Sequence, residues 1–454
     1  TPSNGRGFKI SNSTGSLDSL TVFNNTNGDQ GAAIQLTNSD FDLADSFFQT
    51  NNATEEHGGH IALYESTLDA SNSFFWASSA AYGGAIWADH NSVLNVTTCD
   101  FQDNEAAGAW GIDGWGGAIA VQDSTVTITD STFKDAYSNE WNPGGGAIGL
   151  SGAVANINTT TFEDCEAEQN GGSIYAYAST VTLNDIDITG SKSGYNGGGV
   201  WASDSTVNIL DSSFSNNEAE VNFFNGNSGY GGALFFDDTS IADVSSSEFT
   251  KNKVGNGGGA LFADESDITI SECTFAENDA NQDSMQSDSG YGGAVLIEDG
   301  EFDIQKTEFT SNDADVAGGA FYTNEMGTIS KSEFTTNSAG YGGAIYLHGS
   351  LTLDEVVFDS NTASNSGGAI RWRNEQRDED LDISNSTFKG NTAGNYGGGL
   401  ALYAGNLFAS SLNTFTDNQG ADGGALSVVE IKEIEVQGTL FCHNTASANG
   451  GGAR

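Results

Sequence analysis

A short phrase repeats along the whole chain and constrains the fold more than any other feature. Each copy contains Phe-x-x-Asn and, some residues later, a glycine pair, a small residue and a large apolar residue, as in Phe334 to Asn337 followed by Gly342 to Ile345. Eleven copies are in phase with the glycine pairs, with the asparagine at Asn51, Asn104, Asn217, Asn252, Asn278, Asn312, Asn337, Asn361, Asn391, Asn418 and Asn444. Consecutive glycine pairs are 24 to 34 residues apart. This period indicates a solenoid, in which each unit buries its apolar edge on the next.

The residues within each unit predict strands rather than helices. Segments such as 205–209 and 268–270 alternate polar and β-branched apolar residues between clusters of Gly, Ser, Asn and Asp, which is the period-two pattern of a strand. A unit of this length accommodates three short strands and three bends. We therefore expect an all-β parallel β-helix of about sixteen coils.

The paired words Phe-x-x-Asn and Gly-Gly-Ala-[Ile/Leu/Val] resemble the repeat of the polymorphic outer-membrane proteins, the chlamydial surface adhesin family. The resemblance extends from about Gly31 to Arg454. It implies a right-handed β-helix and an extracellular, adhesive role.

The repeats predict one elongated domain over residues 1–454, with residues 1–30 as an N-terminal cap or irregular first coil. The chain starts without Met and ends within a repeat, so we expect the natural protein to continue. No run of 18 apolar residues is present, so the sequence predicts no membrane-spanning helix.

The charge of the chain limits the classes of molecule that it can bind. The formal net charge is −48, from 62 acidic and 14 basic residues. Such a chain cannot neutralise phosphates, which argues against nucleic acid and anionic membranes as partners. An acidic surface favours divalent cations and basic partners, or serves solubility in marine-strength salt.

The cysteines and the glycosylation sequons do not identify the cellular compartment of the protein. Cys99, Cys165 and Cys273 fall at inward-facing positions several coils apart, so we expect buried free thiols. Six Asn-x-Ser/Thr sequons are compatible with a secreted glycoprotein; they are at Asn12, Asn24, Asn52, Asn95, Asn158 and Asn385.

The repeated residues have structural explanations. Glycine permits a tight corner with positive φ. We expect the repeat asparagines to form a hydrogen-bonded ladder from coil to coil, with members at Asn217, Asn252, Asn278, Asn312, Asn337, Asn361, Asn391, Asn418 and Asn444. The phenylalanines are expected to stack inside.

The residue after the large apolar position is expected to point outward and to form an aromatic stripe. In consecutive coils these residues are Tyr175, Trp201, Phe235, Phe262, Leu296, Tyr322 and Tyr346. An exposed apolar stripe would mark an interface with another protein chain or a stacking platform for sugars. Alternatively, the long inserts at 105–115, 137–144, 218–230 and 279–291 fold over it.

An enzyme is the principal alternative. Arg371, Trp372, Arg373 and Arg377 form the one basic cluster, beside Asp378, Glu379 and Asp380. Such a cluster matches the basic residue that a polysaccharide lyase needs, but the favoured interpretation is a charged loop that crosses one coil and whose charges pair with one another. No calcium-binding motif is present, so the only calcium binding that we expect is diffuse binding to surface Asp side chains. His57 and His60 are a weak metal signal, and His90, His348 and His443 are scattered.

The sequence thus predicts a non-enzymatic extracellular rod with no cofactor. It would be a surface adhesin or a repeating subunit of an extracellular appendage, with other protein chains or glycans as partners. The alternatives are a carbohydrate-active β-helix enzyme and, less favoured by the mixed outward strand residues, a binder of ice or mineral surfaces.

Overall fold

A computed structural model describes residues 7–27, 31–107, 114–139, 143–220, 228–281, 289–374 and 378–453. It divides into two compact units. Unit 1 comprises residues 1–228 and 233–241, and unit 2 comprises residues 229–232 and 242–454. The fold is an all-β parallel β-solenoid of about 16 turns, which confirms the predicted fold class.

The strands of unit 1 are β1 (Phe8–Ser11), β2 (Thr14–Asp18), β3 (Thr21–Phe23), β4 (Thr26–Asn27), β5 (Ile34–Thr37), β6 (Asp40–Ala44), β7 (Phe47–Gln49), β8 (Asn52–His57), β9 (Ile61–Tyr64), β10 (Thr67–Ser71), β11 (Phe74–Trp76), β12 (Ser79–Tyr82), β13 (Ile86–Asp89), β14 (Val93–Thr97), β15 (Asp100–Gln102), β16 (Glu105–Ala106), β17 (Gly114–Trp115), β18 (Ile119–Gln122), β19 (Thr125–Thr129), β20 (Thr132–Lys134), β21 (Tyr137–Ser138), β22 (Pro143–Gly144), β23 (Ile148–Ser151), β24 (Val154–Glu163), β25 (Glu166–Ala167), β26 (Ile174–Tyr177), β27 (Thr180–Thr189), β28 (Lys192–Ser193), β29 (Val200–Ser203), β30 (Thr206–Leu210), β31 (Ser213–Ser215), β32 (Glu218–Ala219) and β33 (Leu234–Asp237).

The remaining strands, which lie in unit 2 apart from the first residue of β34, are β34 (Ile241–Ser245), β35 (Glu248–Thr250), β36 (Lys253–Val254), β37 (Leu261–Ala263), β38 (Asp267–Ser271), β39 (Thr274–Ala276), β40 (Asp279–Ala280), β41 (Val295–Ile297), β42 (Phe302–Gln305), β43 (Glu308–Thr310), β44 (Asp313–Ala317), β45 (Phe321–Thr323), β46 (Gly327–Ser330), β47 (Glu333–Thr335), β48 (Ser338–Tyr341), β49 (Ile345–Leu347), β50 (Leu351–Asp354), β51 (Val357–Asp359), β52 (Thr362–Ser366), β53 (Ile370–Arg373), β54 (Asp380–Ser384), β55 (Thr387–Lys389), β56 (Thr392–Ala393), β57 (Leu400–Ser411), β58 (Thr414–Thr416), β59 (Gln419–Asp422), β60 (Leu426–Gln437), β61 (Leu440–Cys442) and β62 (Thr445–Asn449).

A typical coil, such as β49 to β52, contains four short strands, whereas the repeat length predicts three. The additional break separates β50 from β51 at Glu355, whose φ is 57°. Each strand pairs in parallel with its equivalent in the next coil, so that β49 pairs with β53 and β51 with β55. Equivalent residues of the repeat therefore form rows that run from coil to coil.

The two glycines of each pair have different roles. Gly342 has a φ of 59°, which a residue with a side chain adopts only at a cost. A Cβ on Gly343 would lie 2.2 Å from the carbonyl oxygen of Gly368 in the next coil. The first glycine therefore makes the corner, and the second permits the coils to stack closely.

The repeat phenylalanines form stacked rows in the core. In unit 1, Phe48, Phe75 and Phe101 stack with ring centroids 5.2 and 4.7 Å apart. In unit 2 an equivalent row extends from Phe249 to Phe441, with neighbouring centroids 4.5 to 5.1 Å apart. These large side chains are fully buried in most coils, so the rows supply much of the hydrophobic stabilisation.

Candidate functional site

The predicted asparagine ladder is present in unit 2. From Asn252 to Asn444, each asparagine donates its side-chain amide to Oδ1 of the next, at 2.9 to 3.0 Å. Each backbone N–H in the row also donates to that same oxygen, at 2.9 to 3.0 Å. Asn217, in unit 1, donates its side-chain amide to the carbonyl of Ile188 at 3.0 Å, and its Oδ1 accepts from the backbone N–H of Ser191 at 2.9 Å. The ladder is buried, so it stabilises the fold rather than binding a ligand.

The expectation of an exposed aromatic stripe is wrong. In unit 1, the Tyr175 and Trp201 rings stack 4.6 Å apart, and Trp201 and Phe235 stack at 6.4 Å. All three residues are at most 9% exposed. In unit 2, Phe262, Leu296 and Tyr346 are likewise buried, and Tyr322 is half-buried.

The physical reason in unit 2 is a second row of residues immediately before the glycine pairs, in which a tyrosine occurs in every second coil. We call this the corner row. Tyr230 packs on Phe262 with centroids 4.6 Å apart, and Tyr291 packs on Tyr322 at 4.9 Å. Tyr341 meets Tyr346 edge-on at 6.4 Å. The chain thus covers its own stripe, and a role of the stripe in partner contact remains a prediction.

The basic cluster occupies a strand, not the charged loop that the sequence analysis considered. Arg371 and Arg373 lie on β53 and flank Trp372, which is fully buried and donates its indole N–H to the carbonyl of Gly349 at 3.1 Å. Both guanidinium groups lie over the ring of Tyr403, at 5.6 and 5.8 Å from its centroid, a distance that allows a cation–π attraction. Arg377 lies outside the described residues.

A groove of about 450 Å³ opens beside Arg371. We call it the tyrosine groove, and it is lined by Tyr341, Asn365, Ser366, Arg371, Asn395, Tyr396, Leu402, Tyr403, Ser427, Val428 and Val429. Its volume is within the ~300–1,000 Å³ of typical small-ligand sites. Tyr341 and Tyr396 are 40% and 47% exposed, so two aromatic rings are available to a ligand.

One departure from the repeat, together with a small residue in the corner row, creates this groove. The row that contains Tyr346 continues with Arg371, Ala401 and Ser427 in the following coils, so bulky side chains give way to small ones. The corner row alternates tyrosine with a smaller residue, first Gly257, then Ala317 and then Ser366, which lies between Tyr341 and Tyr396. The two exposed tyrosines are therefore two coils apart, roughly 10 Å, with a gap at Ser366.

A second cleft lies on the other side of Arg373. It has a volume of about 540 Å³ and is lined by Asn324, His348, Gly349, Arg373, Asn374, Asp378 and Glu379. Nδ1 of His348 donates to the carbonyl of Arg373 at 2.5 Å, and Ser350 donates its hydroxyl hydrogen to Glu379. Near this cleft, burial and the neighbouring Asp299 and Glu379 carboxylates raise the pKa of Glu325.

The histidines of the weak metal signal have different surroundings. His60 is fully buried against Phe48 and Phe75, whereas His57 stacks on Tyr82 and Trp87. In the part of the chain that the structure describes, no group of three or more His, Cys, Asp or Glu residues has the arrangement to hold a metal ion.

The other predicted positions are placed as follows. All four cysteines are free, and Cys99, Cys165 and Cys273 are buried. The sequon asparagines Asn12, Asn24 and Asn385 are exposed, while Asn52, Asn95 and Asn158 are half-buried. The insert residues Trp110, Trp141, Phe223 and Phe224 lie outside the described residues. Across the described ranges, the structure contains no helix with the length and apolarity that a membrane crossing requires.

Stacked parallel coils with internal rows of phenylalanine and asparagine define a β-solenoid. The chain belongs to the family described as the right handed beta helix region, whose model matches residues 84–275 and 258–441. This confirms the right-handed β-helix, while membership of the polymorphic outer-membrane protein family remains a hypothesis. No curated protein sequence matches the chain.

Two solved structures are similar to the chain. One is a mutant of the PL6 family alginate lyase AlyGC, at 10% identity and a TM-score of 0.21, with 96% of this chain and 81% of that chain covered. The other is a double mutant of the tailspike protein of E. coli bacteriophage HK620, at 9% identity and a TM-score of 0.21, with 91% and 68% covered. Structural similarities at these TM-scores and sequence identities carry no information on function.

Proposed function

We propose that the chain is a non-enzymatic, extracellular, adhesive β-solenoid that binds glycans through the tyrosine groove. The observation that carries the proposal is the groove itself, in which two exposed tyrosine rings stand on either side of a gap. Tyrosine rings offer flat apolar faces to the C–H faces of sugars, and their hydroxyl groups remain able to hydrogen-bond. Asn365 and Asn395 add amide donors and acceptors at the same edge.

A glycan fits these features better than a protein partner does. The groove is a concave site of about 450 Å³, a size typical of small-ligand sites, whereas a stable protein–protein interface is a broad surface of about 800 Å² per partner. Its exposed tyrosines stand separately beside polar side chains, whereas protein interfaces have a contiguous apolar centre. Burial of the aromatic stripe removes the main argument for an appendage subunit, which depended on lateral packing through exposed rings.

The extracellular location rests on two features of the chain. A net charge of −48 keeps a repeat protein soluble and monomeric in salt. The three exposed sequon asparagines are accessible to glycosylation in a secretory pathway. Both features support a secreted or surface-displayed chain, and mass spectrometry of the natural protein for attached glycans would test the second.

A glycan array probed with the purified chain tests the adhesive function. We expect the chain to retain a defined subset of glycans, and Tyr396→Ala to lose that subset. Tyr177→Ala is the matched control because Tyr177, in unit 1, is 43% exposed, close to the 47% of Tyr396. Retention of no glycan, or equal retention by all three proteins, would overturn the proposal.

The second candidate function is a carbohydrate-active enzyme, which the second cleft favours. His348, Arg373 and Glu379 line it together, a combination that can donate, accept or stabilise charge. Incubation with anionic and neutral polysaccharides, followed by assay of reducing ends and unsaturated products, tests this function. An enzyme would lose product formation in Glu379→Gln, whereas the proposed adhesin yields no product with either protein.

A further inference from the structure

We infer that the tyrosine groove selects glycans that carry a single carboxylated sugar. This inference rests on the proposed function and specifies its ligand class. Three features support it: the position of Arg371, the surroundings of its guanidinium group and the charge of the rest of the chain.

Arg371 interrupts a row of uncharged side chains at the groove. The residues that precede it in the row are Tyr322 and Tyr346, and those that follow it are Ala401 and Ser427. Because Ser366 leaves the corner row open at this coil, Arg371 lines the groove at the gap between Tyr341 and Tyr396. A ligand held between the two tyrosines therefore meets a guanidinium group.

The surroundings of Arg371 leave its charge available to a ligand. Among the described residues, no carboxylate lies within ion-pair distance of Arg371, whereas lysines such as Lys306 and Lys389 pair with acidic neighbours. The guanidinium group of Arg371 contacts the face of the Tyr403 ring. Its N–H groups point outward in the guanidinium plane and can therefore donate hydrogen bonds to a ligand. Burial lowers the pKa of Arg371, and the carboxylate of a bound ligand would offset the cost of burying the guanidinium charge.

Carboxylate geometry matches this donor. A guanidinium presents parallel N–H groups that bind both oxygens of a carboxylate, and such charge-assisted pairs are about twice as strong as neutral hydrogen bonds. A sugar that carries one carboxylate can thus stack on a tyrosine and pair with Arg371 at the same time.

The charge of the chain limits the ligand to few negative charges. At a net charge of −48, the repulsion of a polyanion grows with each charge it brings within the Debye length, ~8 Å at physiological salt. A mostly neutral glycan with one acidic sugar gains the contact with Arg371 and meets little of this repulsion. The groove therefore disfavours polyuronates and favours singly charged glycans.

Isothermal titration with matched ligands tests the inference. The probes are 3′-sialyllactose against lactose and cellobiouronic acid against cellobiose, with polygalacturonate as the polyanion. We expect at least one acidic probe to bind ten- to a hundredfold more tightly than its neutral parent. Arg371→Gln should abolish that preference, and Arg371→Lys should retain part of it, because lysine keeps the charge but not the paired donors.

A second variant distinguishes loss of the guanidinium contact from misfolding caused by the Arg371→Gln substitution. Tyr396→Ala removes one side of the groove at a residue that is 47% exposed, so it should fold normally. Loss of acidic-glycan binding in both Arg371→Gln and Tyr396→Ala, with unchanged circular dichroism, is the expected result.

The outcomes separate this inference from the proposed function. If neutral and acidic probes bind equally through Tyr396, or if the polyanion binds most tightly, the selectivity for one carboxylate is overturned and the adhesive function stands. If array and titration show no glycan binding at all, both are overturned.

Discussion

Oδ1 of Asn361 accepts two hydrogen bonds from Asn337, one from its side-chain amide at 3.0 Å and one from its backbone N–H at 2.9 Å. The amide of Asn337 also donates to the carbonyl of Phe309, at 2.9 Å. Phe309 belongs to the preceding coil, so one asparagine connects three coils. This explains why Phe-x-x-Asn is a unit of the repeat: the asparagine hydrogen-bonds to the phenylalanine carbonyl of the preceding coil and to the asparagine of the following coil.

Replacement of one member of the ladder should destabilise unit 2 substantially. Asn337→Ala removes the acceptor for the backbone N–H and the amide of Asn312 and the donor to Phe309. Each buried polar group left without a partner costs about 1–3 kcal/mol, so we expect a loss of at least about 3 kcal/mol. The midpoint of urea unfolding, followed by circular dichroism, measures it.

Asn444→Ala is the matched control for that experiment. Asn444 has the same contacts with Asn418 and Phe415, but it is only partly buried, so water can replace them. An equal shift of the urea midpoint in both variants would show that burial of the ladder contributes little.

The fit between Trp372 and Gly405 should be equally sensitive. A Cβ on Gly405 would lie 2.4 Å from Cη2 and 2.6 Å from Cζ3 of the buried Trp372 ring. Overpacking of a well-packed core costs about 1–3 kcal/mol, so Gly405→Ala should lower the melting temperature by several degrees. Gly452→Ala, where an added Cβ meets nothing within 4 Å, should leave it unchanged. Equal melting temperatures would mean that the indole shifts freely.

Much of the fold could be predicted from the repeat, because rows in a solenoid place equivalent residues next to one another. The contacts of Asn337 and the stacking of Phe334 follow directly from their repeat positions. The covering of Tyr346 by Tyr341 could not be predicted so easily, because it depends on how the chain bends at Gly342. Alternation along a strand shows that a side chain leaves the core, but not what covers it.

The tyrosine groove was missed for a related reason. Its signal is a departure from the repeat, namely Ala401 and Ser427 where most earlier coils have aromatic residues, next to the small corner residue Ser366. Each substitution is unremarkable alone. Only the register of the coils brings the three positions together beside Arg371.

The thiols should react in an order set by burial. Burial raises the pKa of Cys99 and Cys273 to about 11, and that of Cys165 to about 12. Because the thiolate is the reactive form, iodoacetamide at pH 8 should label only the half-buried Cys442 in the folded chain. Mass spectrometry of the labelled peptides checks this. Cys442→Ser should leave the native chain nearly unlabelled, and rapid labelling of Cys165 would contradict its placement in the core.

His60 should make stability depend on pH between about pH 5 and 6.5, above the range in which most carboxylates titrate. It occupies the small-residue position of its repeat, its Nδ1 lies 3.0 Å from the Asn51 amide nitrogen, and burial lowers its pKa from 6.5 to about 3. The unfolded chain therefore binds a proton at this residue that the folded chain excludes. The full stability is present above pH 6.5 and is lost as the pH falls toward 3, by up to about 1.4 kcal/mol per unit.

Urea midpoints between pH 5 and 7 measure this slope above the range in which most carboxylates titrate. We expect stability to fall with decreasing pH in the wild type and in His90→Ala, whose histidine is exposed with 61% of its side chain accessible. His60→Ala restores the residue found at this place in most coils, such as Ala85 and Ala118, and should show a flatter profile. The comparison is between slopes, because loss of the imidazole volume lowers stability equally at each pH. If His60→Ala and the wild type have the same slope, the buried imidazole is protonated in the folded chain, and the interior at this coil is more polar than the packing of Phe48 and Phe75 indicates.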